Sequence, residues 1–87
     1  MEEAELTLDE LKELIGLLER RLAVIGDAEL RESDPEAQLA QLQEVSEAIS
    51  AFHRDHEERI PFRLRHFLER SSLDKALAWS KEALEGM

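Results

Sequence analysis

The sequence predicts an all-α protein, a small bundle of three to four helices. Leucine, alanine and glutamate are abundant, and all three residue types favour helices. The chain contains only three glycines and two prolines, so few positions interrupt a helix. No stretch alternates β-branched with polar residues, the pattern of a half-buried strand. At 87 residues, the chain is expected to form one domain, residues 1–87.

The first predicted helix spans residues 7–25. Thr7 and Glu10 are spaced as a capping box, and Gly26 is placed to end the helix in a left-handed conformation. We expect residues 1–6 to be frayed. Apolar residues recur along the helix at spacings of three and four: Leu8, Leu11, Ile15, Leu18, Leu22 and Ile25.

The second predicted helix spans residues 35–59. Asp34 is a suitable N-cap, and Pro35 occupies the first helical position, where proline is best tolerated. Its apolar stripe consists of Leu39, Leu42, Val45, Ile49, Phe52 and His56. Pro61 disfavours helical geometry at Ile60, so we expect a bend or a tight corner there.

Two shorter helices are predicted at residues 61–70 and 72–85, with Ser71 as the N-cap of the last helix and Asp74 as its capping-box partner. Four apolar residues exceed what an intramolecular core requires: Leu17, Val24, Leu64 and Trp79. This surplus predicts a homodimer, most simply with two-fold symmetry. The alternative is that these residues complete a monomeric core.

The charge of the chain limits the class of partner. The net charge is −10, which opposes binding to nucleic acid or to an anionic membrane. The longest apolar runs are four residues, far short of the ~20 that a membrane span requires. The chain has no cysteine, which fits a reducing compartment, and we expect a cytoplasmic protein.

The three histidines lie within residues 53–66. On a continuous helix, His53, His56 and Glu57 would share one face and could bind a divalent metal. A simpler interpretation is that His56 lies at the edge of the core, while Asp55 and Arg59 form a surface pair. We therefore expect neither a metal nor another cofactor. No nucleophile or glycine-rich loop accompanies the histidines, so we also expect no enzymatic activity.

The most distinctive segment runs from Arg59 to Arg70. It contains four arginines and one glutamate, a local charge of +3 that leaves −13 on the rest of the chain. Arginine and aromatic residues are enriched at protein interfaces. We define an arginine–aromatic corner as Arg59, Phe62, Arg63, Arg65, His66 and Arg70, with Trp79 as a possible anchor. Alternatively, the arginines are only solvated while Phe62 and Phe67 fill the core.

The corner predicts a non-enzymatic protein-interaction or scaffold module that binds a protein partner or a second copy of itself. Two other functions stay open. One is a metal-binding helical domain that uses His53, His56 and Glu57. The other is an acidic, antitoxin-like regulator that neutralises a basic partner.

Overall fold

The computed structural model describes residues 6–86, which contain five α-helices, one short 3₁₀ helix and no strand. The α-helices are α1 (Leu8–Ile25), α2 (Ala28–Ser33), α3 (Pro35–Asp55), α4 (Phe62–Glu69) and α5 (Leu73–Glu85), and the 3₁₀ helix is Glu57–Arg59. The all-α prediction is confirmed. The predicted count of three to four helices is wrong, because the connection after α1 folds into α2, with Asp27 as its N-cap. The predicted fraying of residues 1–5 lies outside the described residues; Leu6 is buried.

Helix α1 is central to the bundle, since it packs against both α3 and α5. Helix α4 packs against α5, and α2 packs against α3. The core contains Leu6, Leu11, Leu14, Ile15, Leu18, Val45, Ile49, Phe52, Ile60, Leu64, Leu68, Ala76 and Leu77. Every α-helix except α2 therefore contributes to one continuous core.

The buried face of α1 differs from the predicted stripe. Leu14, which the stripe omitted, is fully buried, whereas Leu8, Leu22 and Ile25 are substantially exposed. The reason is that α1 has two neighbours, so the buried sector is wider than one stripe and is centred between α3 and α5. Val24 is also buried, and its carbonyl accepts a hydrogen bond from Gln38 Nε2 of α3 (2.9 Å).

The predicted surplus of apolar surface is largely absent. Val24 and Leu64 are buried within the chain itself. Leu17 and Trp79 are half-buried against the same core. The sequence argument for a two-fold dimer therefore loses its basis in these residues.

The ends of α1 follow the predicted capping only in part. The Thr7–Glu10 capping box is confirmed: the Glu10 backbone N–H donates to Thr7 Oγ1 (3.2 Å), and the Thr7 N–H donates to Glu10 Oε1 (2.9 Å). Gly26 caps the other end, but its φ of −85° is not left-handed, contrary to prediction.

Helix α3 ends at Asp55, four residues before the predicted boundary at residue 59. His56 leaves helical geometry, and residues Glu57–Arg59 tighten into the 3₁₀ helix. Ile60 is extended and buried, and α4 begins directly after Pro61. The predicted bend of the chain next to Pro61 is therefore confirmed.

The junction between α4 and α5 differs from the predicted capping box at Ser71. Ser71 has a φ of 59°, in the left-handed region, and Ser72 is the N-cap of α5 without a side-chain hydrogen bond. The Ser72 N–H donates to the Phe67 carbonyl (2.8 Å), and the Ser71 N–H donates to the Leu68 carbonyl (3.2 Å). This pair of bonds is a Schellman motif, which usually carries glycine at the position of Ser71.

The left-handed serine makes a testable prediction. Ser71→Gly should raise the free energy of unfolding by about 0.5 kcal/mol, because glycine adopts positive φ without the steric cost that a Cβ imposes. Ser72→Gly is the matched control: Ser72 has a φ of −85°, so the same change should lower stability. Urea unfolding measures both variants, and a loss of stability in Ser71→Gly would contradict the assignment.

Candidate protein-interaction surface

Helix α4 has one side that is buried against the core and an opposite side that is exposed to solvent. Leu64 and Leu68, four residues apart on the inner face, are buried against the core, with Ile60 one turn earlier. These contacts orient the helix and leave the opposite side to the solvent. The buried residues therefore determine which side chains α4 can offer to a partner.

The outer face of α4 combines an aromatic ring with cationic groups. We define the α4 outer face as Phe62, Arg63, His66 and Arg70. Phe62, His66 and Arg70 follow one another at four-residue intervals, so they lie along one side of α4 and its C-terminal end. All four residues are exposed, and Phe62 stands out with 76% of its surface accessible. The interpretation in which both phenylalanines fill the core is therefore wrong for Phe62.

Two other members of the arginine–aromatic corner are less accessible. Arg65 is half-buried on the same helix. Trp79 is half-buried on α5, the helix against which α4 packs. Neither side chain is as exposed as the four residues of the α4 outer face.

Arg59 is held by an internal ion pair. Its Nη1 donates to Glu10 Oε1 (2.6 Å) and its Nη2 donates to Glu10 Oε2 (2.5 Å). This two-pronged geometry is the strongest form of an arginine–carboxylate pair. Arg59 therefore joins the 3₁₀ helix to the first turn of α1, instead of forming the predicted surface pair with Asp55.

The pair changes the acid–base properties of both residues. The hydrogen bonds from Arg59 and from the Thr7 backbone lower the pKa of Glu10 from 4.5 to about 2. The same contact with Glu10 raises the pKa of Arg59. The Glu10 carboxylate thus accepts bonds from Arg59 and from the N-cap residue of α1 at once.

His56 completes this contact at the end of α3. Its Nδ1 donates to the Phe52 carbonyl (2.9 Å), and its ring stacks on Phe52 with centroids 4.2 Å apart. Its Nε2 lies 3.5 Å from Glu10 Oε2. His56 therefore has the local, structural surroundings that the simpler interpretation of the histidines predicts.

The metal-binding alternative depended on a continuous helix through Glu57. Because α3 ends at Asp55, Glu57 no longer follows His53 at helical spacing. Within residues 6–86, no three histidine, aspartate or glutamate side chains are grouped so that they could hold a metal ion. His53, His56 and Glu57 are not brought together as a ligand set.

Comparisons with known proteins provide no functional assignment. No protein-family model matches the chain, and neither the curated proteins nor the solved structures include a match. Across residues 6–86, none of the helices is both long enough and apolar enough to cross a membrane.

The sequence identified the residues of this face but not their arrangement. Its composition predicted an interface around Phe62; the structure shows that Phe62 is exposed, and the interface stays a prediction. The pairing of Arg59 with Glu10 was missed, because 49 positions separate the two residues. The one available signal was the capping position of Glu10, which marks its carboxylate as a hydrogen-bond acceptor but identifies no distant donor.

Proposed function

We propose that this chain is a non-enzymatic protein-interaction module that binds an acidic protein surface through the α4 outer face. The exposure of Phe62 carries the proposal, since a ring this accessible contributes little to its own fold. Burial against a partner would remove its apolar surface from water, which is worth roughly 1.5–3 kcal/mol for a phenylalanine. Aromatic residues flanked by arginine are frequent energetic centres of protein interfaces.

The charges favour an acidic protein over nucleic acid. From Phe62 to Arg70 there are three arginines and one glutamate, a local charge of +2 on a chain of net charge −10. An extended polyanion would meet the acidic remainder of the molecule as well as this small basic area. A folded partner can present one acidic patch and avoid that repulsion. The antitoxin-like alternative and the cytoplasmic location stay untested predictions.

Site-specific photocrosslinking in the native cell tests the proposal. With p-benzoylphenylalanine at position 62, we expect discrete adducts with a protein, and these should disappear when Arg63→Glu and Arg70→Glu are added. Gln43, exposed on α3, is the matched control position and should give no such adducts. Adducts that are equally frequent at positions 62 and 43, or insensitive to charge reversal, would contradict the proposal.

A further inference from the structure

The end of the bundle where α1 meets the start of α3 carries exposed aliphatic side chains. Leu22 and Ile25, near the C-terminus of α1, are 44% and 37% exposed, and Leu39 of α3 is 57% exposed. The hydrogen bond from Gln38 to the Val24 carbonyl joins the two helices here, so the three residues lie at the same end of the molecule. We call Leu22, Ile25 and Leu39 the hairpin end.

Acidic residues surround the hairpin end. The connecting segment 27–36 contains five carboxylates and one arginine, a local charge of −4. The charged residues are all exposed: Asp27, Glu29, Arg31, Glu32, Asp34 and Glu36. The hairpin end therefore combines apolar side chains with nearby negative charge. A partner that presents apolar side chains and positive charge would complement both features.

The α4 outer face has the complementary composition and lies far away. Arg59 contacts Glu10 in the first turn of α1, and Phe62 follows three residues later, so the α4 outer face begins near the N-terminus of α1. The hairpin end is at the C-terminus of the same helix. The 18 residues of α1 span about 27 Å at 1.5 Å per residue, too far for the two surfaces to meet within one chain.

We infer that the hairpin end of one copy binds the α4 outer face of a second copy, head to tail. Phe62 packs against the exposed aliphatic side chains, and the arginines of α4 face the carboxylates of segment 27–36. A two-fold dimer whose axis passes through either surface would place two basic faces or two acidic ends together, and like charges oppose both arrangements. A contact between the two different surfaces avoids this, and it closes as a reciprocal pair or a larger ring, or extends into a chain.

This inference rests on the proposed function, because it uses the same α4 face, and it names the partner of that face. It differs from the predicted dimer in using two other surfaces, neither of which includes Leu17, Val24, Leu64 or Trp79. The charged rim predicts salt dependence: the apparent Kd should rise as ionic strength increases, because exposed charges are screened beyond about 10 Å at 0.1 M salt.

Two loss-of-contact variants provide the decisive experiment. One carries Phe62→Asp and Arg63→Glu on the α4 outer face, and the other carries Leu22→Asp and Leu39→Asp at the hairpin end. In sedimentation velocity, wild type should form species larger than a monomer, and each variant alone should associate about 30-fold more weakly. An equimolar mixture should form a dimer and nothing larger, because only one intact pair of surfaces remains.

The outcomes separate this inference from the proposed function. The head-to-tail contact is overturned if wild type stays monomeric at every concentration, if the mixture fails to restore the dimer, or if the hairpin-end variant alone associates fully. Photocrosslinked adducts of a different protein at position 62 would in each case still support the proposed function. Circular dichroism checks folding, and Phe62→Ala with Leu39→Ala repeats the mixing test should an aspartate variant unfold.

Discussion

Leu64→Ala is expected to lower the free energy of unfolding by about 3 kcal/mol. Leu64 is completely buried and belongs to the same core as Leu14 and Leu18. Shortening it removes apolar contacts and leaves a cavity that the surrounding side chains fill only in part. The effect should extend to α4 as a whole, because Leu64 and Leu68 are the buried core residues of this helix, with Phe67 partly buried beside them.

Leu39→Ala is the matched control, because it is the same substitution at a residue that is 57% exposed. Its effect should stay within about 0.5 kcal/mol. Urea unfolding at low protein concentration measures both variants and prevents self-association from contributing to stability. Equal changes in the free energy of unfolding at the two positions would contradict the burial of Leu64. They would instead support the prediction from the sequence that Leu64 exceeds what the core requires.

Glu10→Gln is expected to destabilise the protein at neutral pH by about 1 kcal/mol, with most of the loss removed at high salt. The substitution removes the charge that Arg59 contacts but retains an acceptor for the Thr7 N–H. Folding lowers the pKa of Glu10 from 4.5 to about 2, so the ionised carboxylate stabilises the folded chain. This stabilisation is complete above pH 4.5 and disappears as the pH falls to about 2.

The difference in stability between wild type and Glu10→Gln should therefore be present at neutral pH and shrink toward zero as the pH falls to about 2. Chemical denaturation at several pH values measures it. Glu13→Gln is the control, since Glu13 is exposed on the same helix, and its effect on the free energy of unfolding at neutral pH should be smaller. A difference between wild type and Glu10→Gln that persists unchanged at pH 2 would contradict the ion pair with Arg59.

Features set by neighbouring residues were predictable from the sequence. The Thr7–Glu10 capping box, the N-cap at Asp34 and the corner at Pro61 all depend on residues within four positions of one another. The all-α class follows from residue composition and from the spacing of apolar residues. The concentration of arginine and aromatic residues between positions 59 and 70 was likewise visible without a structure.

The sequence by itself determined where α1 and α3 begin, that the helices are amphipathic, and which segment is basic and aromatic. Only the tertiary structure decided that Leu64 is buried, that Phe62 is exposed and that Arg59 forms an ion pair with Glu10. The physical reason is that helical periodicity identifies an apolar sector without specifying how many neighbours cover it. Helix α1 has two, α3 and α5, and α4 turns its leucines inward against the same core, which leaves Phe62 in the solvent.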